Sequence, residues 1–280
     1  AAGVQAGGDG DVTLATTASG DLIQNDFVTA EGNAIRVDSA GAITQVFGEL
    51  IAERVDLRAQ ERIDARADAG DDFPLLLQAT SFSAVTRSGD IDLDNLPAAD
   101  ATATELSTGT GNIRVFSGGD DEIEALTVQS ATTGDGSIEL INEGGDLEVA
   151  QATAGGSGNV LLETEFSGDV RIGSVTAGGR IAVDSAGGIT QSPSDAEVDL
   201  RAATVDLQAA SEIGPLDLAA TSFSARVVDP ETLEAGTGAI TLTNEATSAA
   251  TATELGRQAR RVPDLAEAEG PQSMFGPVDP

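Results

Sequence analysis

Asp90, Asp92 and Asp94 occupy alternate positions in the run Gly89-Asp90-Ile91-Asp92-Leu93-Asp94-Asn95. On an extended strand, alternate side chains share one face about 6.8 Å apart, so three carboxylates would stand in a row. Hard oxygen ligands of this kind suit calcium, and a pair of carboxylates can serve as acid and base in glycoside hydrolysis. Gly118-Gly119-Asp120-Asp121-Glu122 and Gly70-Asp71-Asp72 are two further acidic loops. A single strand face offers too few ligands for calcium, however. Gly7-Gly8-Asp9-Gly10-Asp11-Val12 also lacks the nonapeptide pattern of calcium-binding rolls. The carboxylates therefore read as a solvated acidic face, and no catalytic, cofactor or metal site is assigned.

Composition narrows the chemistry further. The 280 residues carry 47 Asp+Glu against 14 Lys+Arg, a formal net charge of −33, and every cation is Arg. Without His or Cys there is no Ser-His-Asp or Cys-His nucleophile, no imidazole or thiolate zinc site and no disulfide. Without Lys there is no Schiff-base amine or P-loop lysine. The charge excludes nucleic acid as a partner, because phosphate binding needs surplus cations. It also opposes cleavage of polyanionic sugars. Apolar content of 40% suffices for a core, yet no run approaches the ~20 apolar residues of a membrane helix, so no membrane insertion is expected. The opening AAGVQAGGDG has no basic start and no apolar h-region, and reads as a mature chain or a piece of a longer one.

The elements that must position these residues are short and numerous. A Gly/Asp/Ser turn followed by an alternating strand recurs, as in Gly10-Asp11-Val12-Thr13-Leu14, Gly111-Asn112-Ile113-Arg114-Val115 and Gly136-Ser137-Ile138-Glu139-Leu140. Apolar residues at i and i+2 mark one inward face, and Gly or Asp supplies the turn. The pattern predicts roughly 25 strands, about one every 10 residues. Val12, Ile91, Ile113, Ile138, Val170, Ile181 and Ile240 are expected to point inward. Residues 50–66 hold the best helical spacing, but their VDLR run recurs at 198–201 among strands, so they too are read as strand.

Larger blocks repeat as well. IRVDSAGAITQ at 35–45 matches IAVDSAGGITQ at 181–191, and VDLRA at 55–59 matches 198–202. ATSFSA at 79–84 matches 220–225, and ATATEL at 101–106 matches 250–255. Four blocks in one order indicate a duplication. The expected organisation is a β-solenoid over 1–255 built from two related copies, about 10–106 and 134–255. Residues 256–280, with four prolines and no alternation, read as a disordered tail or linker.

Strands of three to five residues bury too little to stand alone. Stacked coils would share one thin core, with roughly 8 coils of three strands forming a rod about 40 Å long. Tandem β-sandwiches are the alternative, but they call for longer strands and bulky aromatic cores, and here Trp and Tyr are absent. The fold class is therefore all-β, a parallel β-helix. Asn95, Asn142 and Asn244 each follow an inward Ile by four residues, where they can stack as an amide ladder or simply end strands.

The runs GDIxL, IxVDSAGxITQ, VDLxA and ATSFSA resemble the repeat region of filamentous-haemagglutinin-like exoproteins of Gram-negative bacteria, over about residues 8–255. The resemblance implies a right-handed parallel β-helix within a long secreted or outer-membrane-associated adhesin exported by the two-partner route. The expected function is a structural stalk segment with no enzyme activity. The alternatives are a glycan- or protein-binding β-helix module and a polysaccharide-degrading β-helix enzyme. Expected partners are a host or environmental glycan or protein, with end-to-end association to further repeats of a longer chain. Clustered outward Arg or Phe would favour the binding module over a plain stalk.

Overall fold

The computed structural model describes residues 3–7, 10–66, 72–118, 124–192, 198–228, 236, 238–245 and 251–255. Regular structure in them is entirely β: 25 strands, paired parallel. The antiparallel pairing of Ala65 with Phe73 and Arg66 with Asp72 is the one exception among the described residues. Parallel partners such as Leu200 with Leu218, or Ser222 with Thr251, are a whole coil apart along the chain. Hairpins cannot produce such pairs, so the sandwich alternative falls. Residues 50–66 form the strands Leu50–Ala59 and Ile63–Arg66. The tail at 256–280 lies outside the described residues, as does most of the acidic loop at 118–122.

Register shows how the coils stack. Leu14, Val37, Leu57, Ala84, Leu106, Ala131, Ala152, Val175, Leu200 and Leu218 are successive Cα partners, one per coil. The coil from Leu200 to Leu218 is the shortest in this column and that from Leu57 to Ala84 the longest. The chain completes about 10 turns, where strand spacing predicts roughly 8. Ten turns at a strand separation of roughly 4.8 Å give a rod about 48 Å long. Some strands bend to serve two faces. The first half of Ala101–Thr108 pairs with Leu126–Val128 and its second half with Ala131–Thr133.

The interior is one continuous aliphatic column. Ile91, Ile113, Ile138, Val160 and Ile181 lie in register in consecutive coils, none more than 1% exposed. Val12 and Val170 are buried as well, and Ile240 is partly buried near the C-terminal end of the stack. Each fully buried Ile or Leu contributes about 2 kcal/mol by removal from water. The space between the faces is narrow, which suits Val, Ile, Leu and Ala. Among the described residues, Phe82 is the one fully buried aromatic.

Polar side chains close the corners. Parallel coils leave backbone N–H groups unpaired where the chain turns into a strand, and in four consecutive coils the residue just before the inward Ile or Val supplies the acceptor. Asp90 Oδ1 accepts from Asn112 N–H (2.6 Å), and Asn112 Oδ1 from Ser137 N–H (2.9 Å). Ser137 Oγ then accepts from Asn159 N–H (3.1 Å), and Asn159 Oδ1 from Arg180 N–H (2.8 Å). This ladder runs one residue before the strand rather than at its end. The end position instead stacks Asn95, Ser117, Asn142 and Thr164, so the asparagines do not meet as an amide ladder. Asn95 is fully buried and clasps the backbone of Ala79 in the preceding coil, accepting from its N–H (3.0 Å) and donating to its carbonyl (3.1 Å).

The duplication reaches the same level of detail. Asn244 holds Ala220 by the same two bonds, both 3.1 Å. The β-bulge between Phe82 and Ser83 opposite ATATEL recurs between Phe223 and Ser224. Register also identifies a better partner for one sequence block. Residues 55–59 stack directly after 35–39, and the segment that stacks after 181–185 is VDLQA at 205–209, not VDLRA at 198–202.

Candidate binding cleft

Two buried glutamines build the most distinctive surface of the molecule. Gln24 (6% exposed) closes the strand Leu22–Gln24, and Gln45 (2%) closes Ile43–Gln45 one coil later. Gln24 Nε2 donates to the carbonyls of Asp26 (2.9 Å) and Glu49 (3.2 Å). Gln45 bridges to the next coil, accepting from Leu76 N–H (2.8 Å) and donating to Leu76 O (3.2 Å). Gln24 therefore holds the turns after both strands, and Gln45 ties the strand Leu75–Gln78 of the next coil to them. Gly48, at φ 91, lets the second turn press against the backbone of Asp26, where a Cβ would collide.

The turns so fixed present aromatic rings outward. Phe27 and Phe47 meet edge to face with centroids 6.0 Å apart, a favoured geometry for ring pairs. Phe73 completes a cleft of about 450 Å³ that Val46, Pro74 and Leu76 also line. A second cleft of about 440 Å³ shares Phe27 and continues along Ile23 and Val4. Of the eight large apolar side chains that stand exposed among the described residues, six line these two clefts. Phe47 is 63% exposed and Ile23 60%. Scattered exposed apolar residues are ordinary, whereas a contiguous patch marks an interaction surface.

Two carboxylates, Glu49 and Asp94, line the first cleft. Asp94 lies in register between Leu76 and Phe116, and its Oδ1 is buried without a hydrogen-bond partner. Burial pushes its carboxyl up to about 6, assisted by the negative charges of Glu143, Asp92 and Glu49 and opposed by Arg114. Asp92, opposite Arg114 in the next coil, is likewise raised, first by burial. The expectation of a solvated acidic face is thus corrected. Asp92 and Asp94 share a face but are half-buried, Asp92 beside Arg114 and Asp94 between Leu76 and Phe116, and Asp90 leaves it to cap Asn112. No group of three or more acidic side chains is placed to hold a metal among the described residues.

Arginine shows no comparable clustering among the described residues. Arg36 pairs with Asp11 at 2.8 Å, Arg171 with Asp146 at 2.7 Å and Arg180 with Asp206 at 2.5 Å. The arginine beside Asp11 holds its carboxyl below the usual range. A polar groove of about 330 Å³ near Arg180 is internally paired, with Arg226 donating to Gln208 (2.6 Å) and Gln208 to Asp184 (2.9 Å). Arg257, Arg260 and Arg261 lie outside the described residues.

Sequence reasoning missed the aromatic cleft because Phe27, Phe47 and Phe73 belong to three different coils and to no alternating run. Phe27 and Phe47 sit in turns, and Phe73 ends the two-residue strand Asp72–Phe73. A signal was present in the duplicated block, which departs from its copy right after ITQ. The first copy continues Val46-Phe47-Gly48 and the second Ser192-Pro193-Ser194. The backbone is equivalent at the first of these positions: Val46 N–H bonds Gln24 O at 2.8 Å and Ser192 N–H bonds Ile172 O at 2.7 Å. Compared with known proteins, the chain matches no family model, no curated protein and no solved structure.

Proposed function

We propose that this chain is a structural stalk segment of a bacterial cell-surface or secreted protein of the filamentous-haemagglutinin-like kind, acting as a stiff spacer with no catalysis of its own. The observation that supports it most is the unbroken in-register column from coil to coil, because one shared core makes a rod that resists bending between coils. The net charge of −33 on a slender body keeps neighbouring rods apart in solution. Antibodies against this segment, applied to fractionated cells of the source organism, provide the test. The epitope is expected in the outer-membrane or culture-fluid fraction, on a polypeptide much longer than 280 residues. Recovery as a free 28.1 kDa cytosolic chain would overturn the proposal.

A binding module is the second reading, and the exposed phenylalanine cluster specifically favours it. A plain spacer has no use for six apolar side chains along two adjoining clefts.

A further inference from the structure

The paired clefts around Phe27 combine three features that a spacer does not require. They are apolar and open, two of their rings come from turns held by the buried Gln24, and one cleft contains a carboxylate with a buried oxygen that lacks a partner. Burying a carboxylate is unfavourable, and a cation brought beside it by a ligand offsets that cost. Phenylalanine faces attract cations through the ring quadrupole. Glu49 lines the same cleft, and Asp92 and Glu143 add negative charge beside Asp94. The cation that opposes them, Arg114, stands 3.7 Å from Glu139.

We propose that the Phe27–Phe47–Phe73 cleft binds an arginine or lysine side chain of a partner polypeptide, with the cation paired to Asp94 among the rings and its apolar neighbours lying along Ile23 and Val4. The strip is long enough for several residues, since the second cleft continues from the first through Phe27. Charge complementarity selects the partner's chemistry: an acidic rod attracts a basic segment and repels polyanions. It also disfavours a second copy of this chain, which would bring another −33 to the contact.

The test is a titration of the full chain, by anisotropy at about 50 mM NaCl, with a labelled Gly-Ser-Leu-Arg-Leu-Ser-Gly peptide and its Arg-to-Gln counterpart. The arginine peptide is expected to bind about tenfold more tightly than the glutamine one, a discrimination that a charge-assisted pair supplies. Asp94→Asn should abolish that preference, Phe47→Ser should weaken both peptides, and Phe166→Ser, outside the clefts, should change neither. Circular dichroism of each variant guards against unfolding, and Phe47→Leu, which keeps an apolar side chain, separates ring from bulk. Equal affinity for the two peptides, an unaltered preference in Asp94→Asn, tighter binding of a neutral oligosaccharide at Phe47, or self-association abolished by Phe47→Ser would each overturn the proposal. None of these outcomes bears on where the parent protein resides, so this inference and the stalk reading fail separately.

Discussion

Ser39 and Ser185, at matching positions of the duplicated DSAG block, hold the same corner of two different coils through the same bonds. Ser39 Oγ donates to Ala42 O (2.8 Å) and receives Gly41 N–H (3.3 Å), while Ser185 Oγ donates to Gly188 O (3.0 Å) and receives Gly187 N–H (3.2 Å). In the coil before, Thr16 accepts from Ala40 N–H and Thr164 from Ala186 N–H, and Asp21 and Asp169 accept from Ala42 and Gly188. A corner that must satisfy several backbone groups at once tolerates little variation, so the motif DSAG persists where outward positions have diverged. The duplication is thus preserved at the hydrogen-bonded corners and released just beyond them, where one copy reads Val46-Phe47 and the other Ser192-Pro193.

The clasp of Asn95 on Ala79 predicts a measurable penalty. Asn95→Ala leaves a buried N–H and a buried C=O of Ala79 unpaired and removes two hydrogen bonds. A loss of about 2–4 kcal/mol is expected, read as a shift of the urea midpoint at constant slope. Asn244→Ala, at the half-buried counterpart near the end of the stack, should lose less. A loss of under about 0.5 kcal/mol at Asn95 would mean that water enters the corner and the clasp is dispensable.

Ile138 tests the core in the same way. It is 1% exposed, with Ile113 on one side and Val160 on the other. Ile138→Asp forces an unpaired charge into that column, for a destabilisation of several kcal/mol that spreads to the adjoining coils. Hydrogen exchange should show lost protection in 113–117 and 160–164 as well as in 138–142. A soluble variant with wild-type cooperativity and intact protection there would contradict the inward assignment.

How much of this was legible in the sequence follows from which positions obey a period. Inward residues repeat every second position and turns carry Gly with Asp, Asn or Ser, so the strands, their parallel stacking and the aliphatic core could be read in advance. Asp90 and Asn112 were visible as turn residues, but that one caps the other depends on coil length. That length differs from coil to coil, short between Leu200 and Leu218 and long between Leu57 and Ala84, which leaves no fixed spacing to read. The same irregularity hid the aromatic cleft. Phe27, Phe47 and Phe73 meet only because three coils of unequal length bring them to one edge. The half-burial of Asp92 and Asp94 was equally invisible, since it depends on which residue of the next coil, Arg114 or Phe116, happens to lie beside each.

The surplus of carboxylates predicts a dependence on salt. Charges along the rod lie within a Debye length of one another at about 10 mM salt, where that length is about 30 Å, and are largely screened from one another at about 1 M, where it is about 3 Å. Folding brings −33 into a compact body, so screening favours the folded form. The melting temperature should therefore rise from low to molar NaCl. An unchanged or lowered value would show that the ion pairs of Arg36, Arg171 and Arg180, which salt weakens, outweigh the repulsion.

Asp94 predicts a pH dependence of definite sign. Its carboxyl is raised from 3.8 to about 6 in the folded chain, first by burial. The folded state then binds the proton more tightly than the unfolded one, so stability contributed by this group falls as pH rises from about 4 to 6. Above that window the ionised form carries its full penalty, which screening of a half-exposed group reduces to about 1 kcal/mol. Asp94→Asn removes the charge while keeping the shape, and should be more stable than the parent by about that amount at pH 7. The gap should close as pH is lowered through 6 and vanish near pH 4. Paired urea melts across this range decide it: a pH-independent gap, or an Asn variant weaker at pH 7, would show that the Asp94 carboxylate gains more from its surroundings than burial takes away.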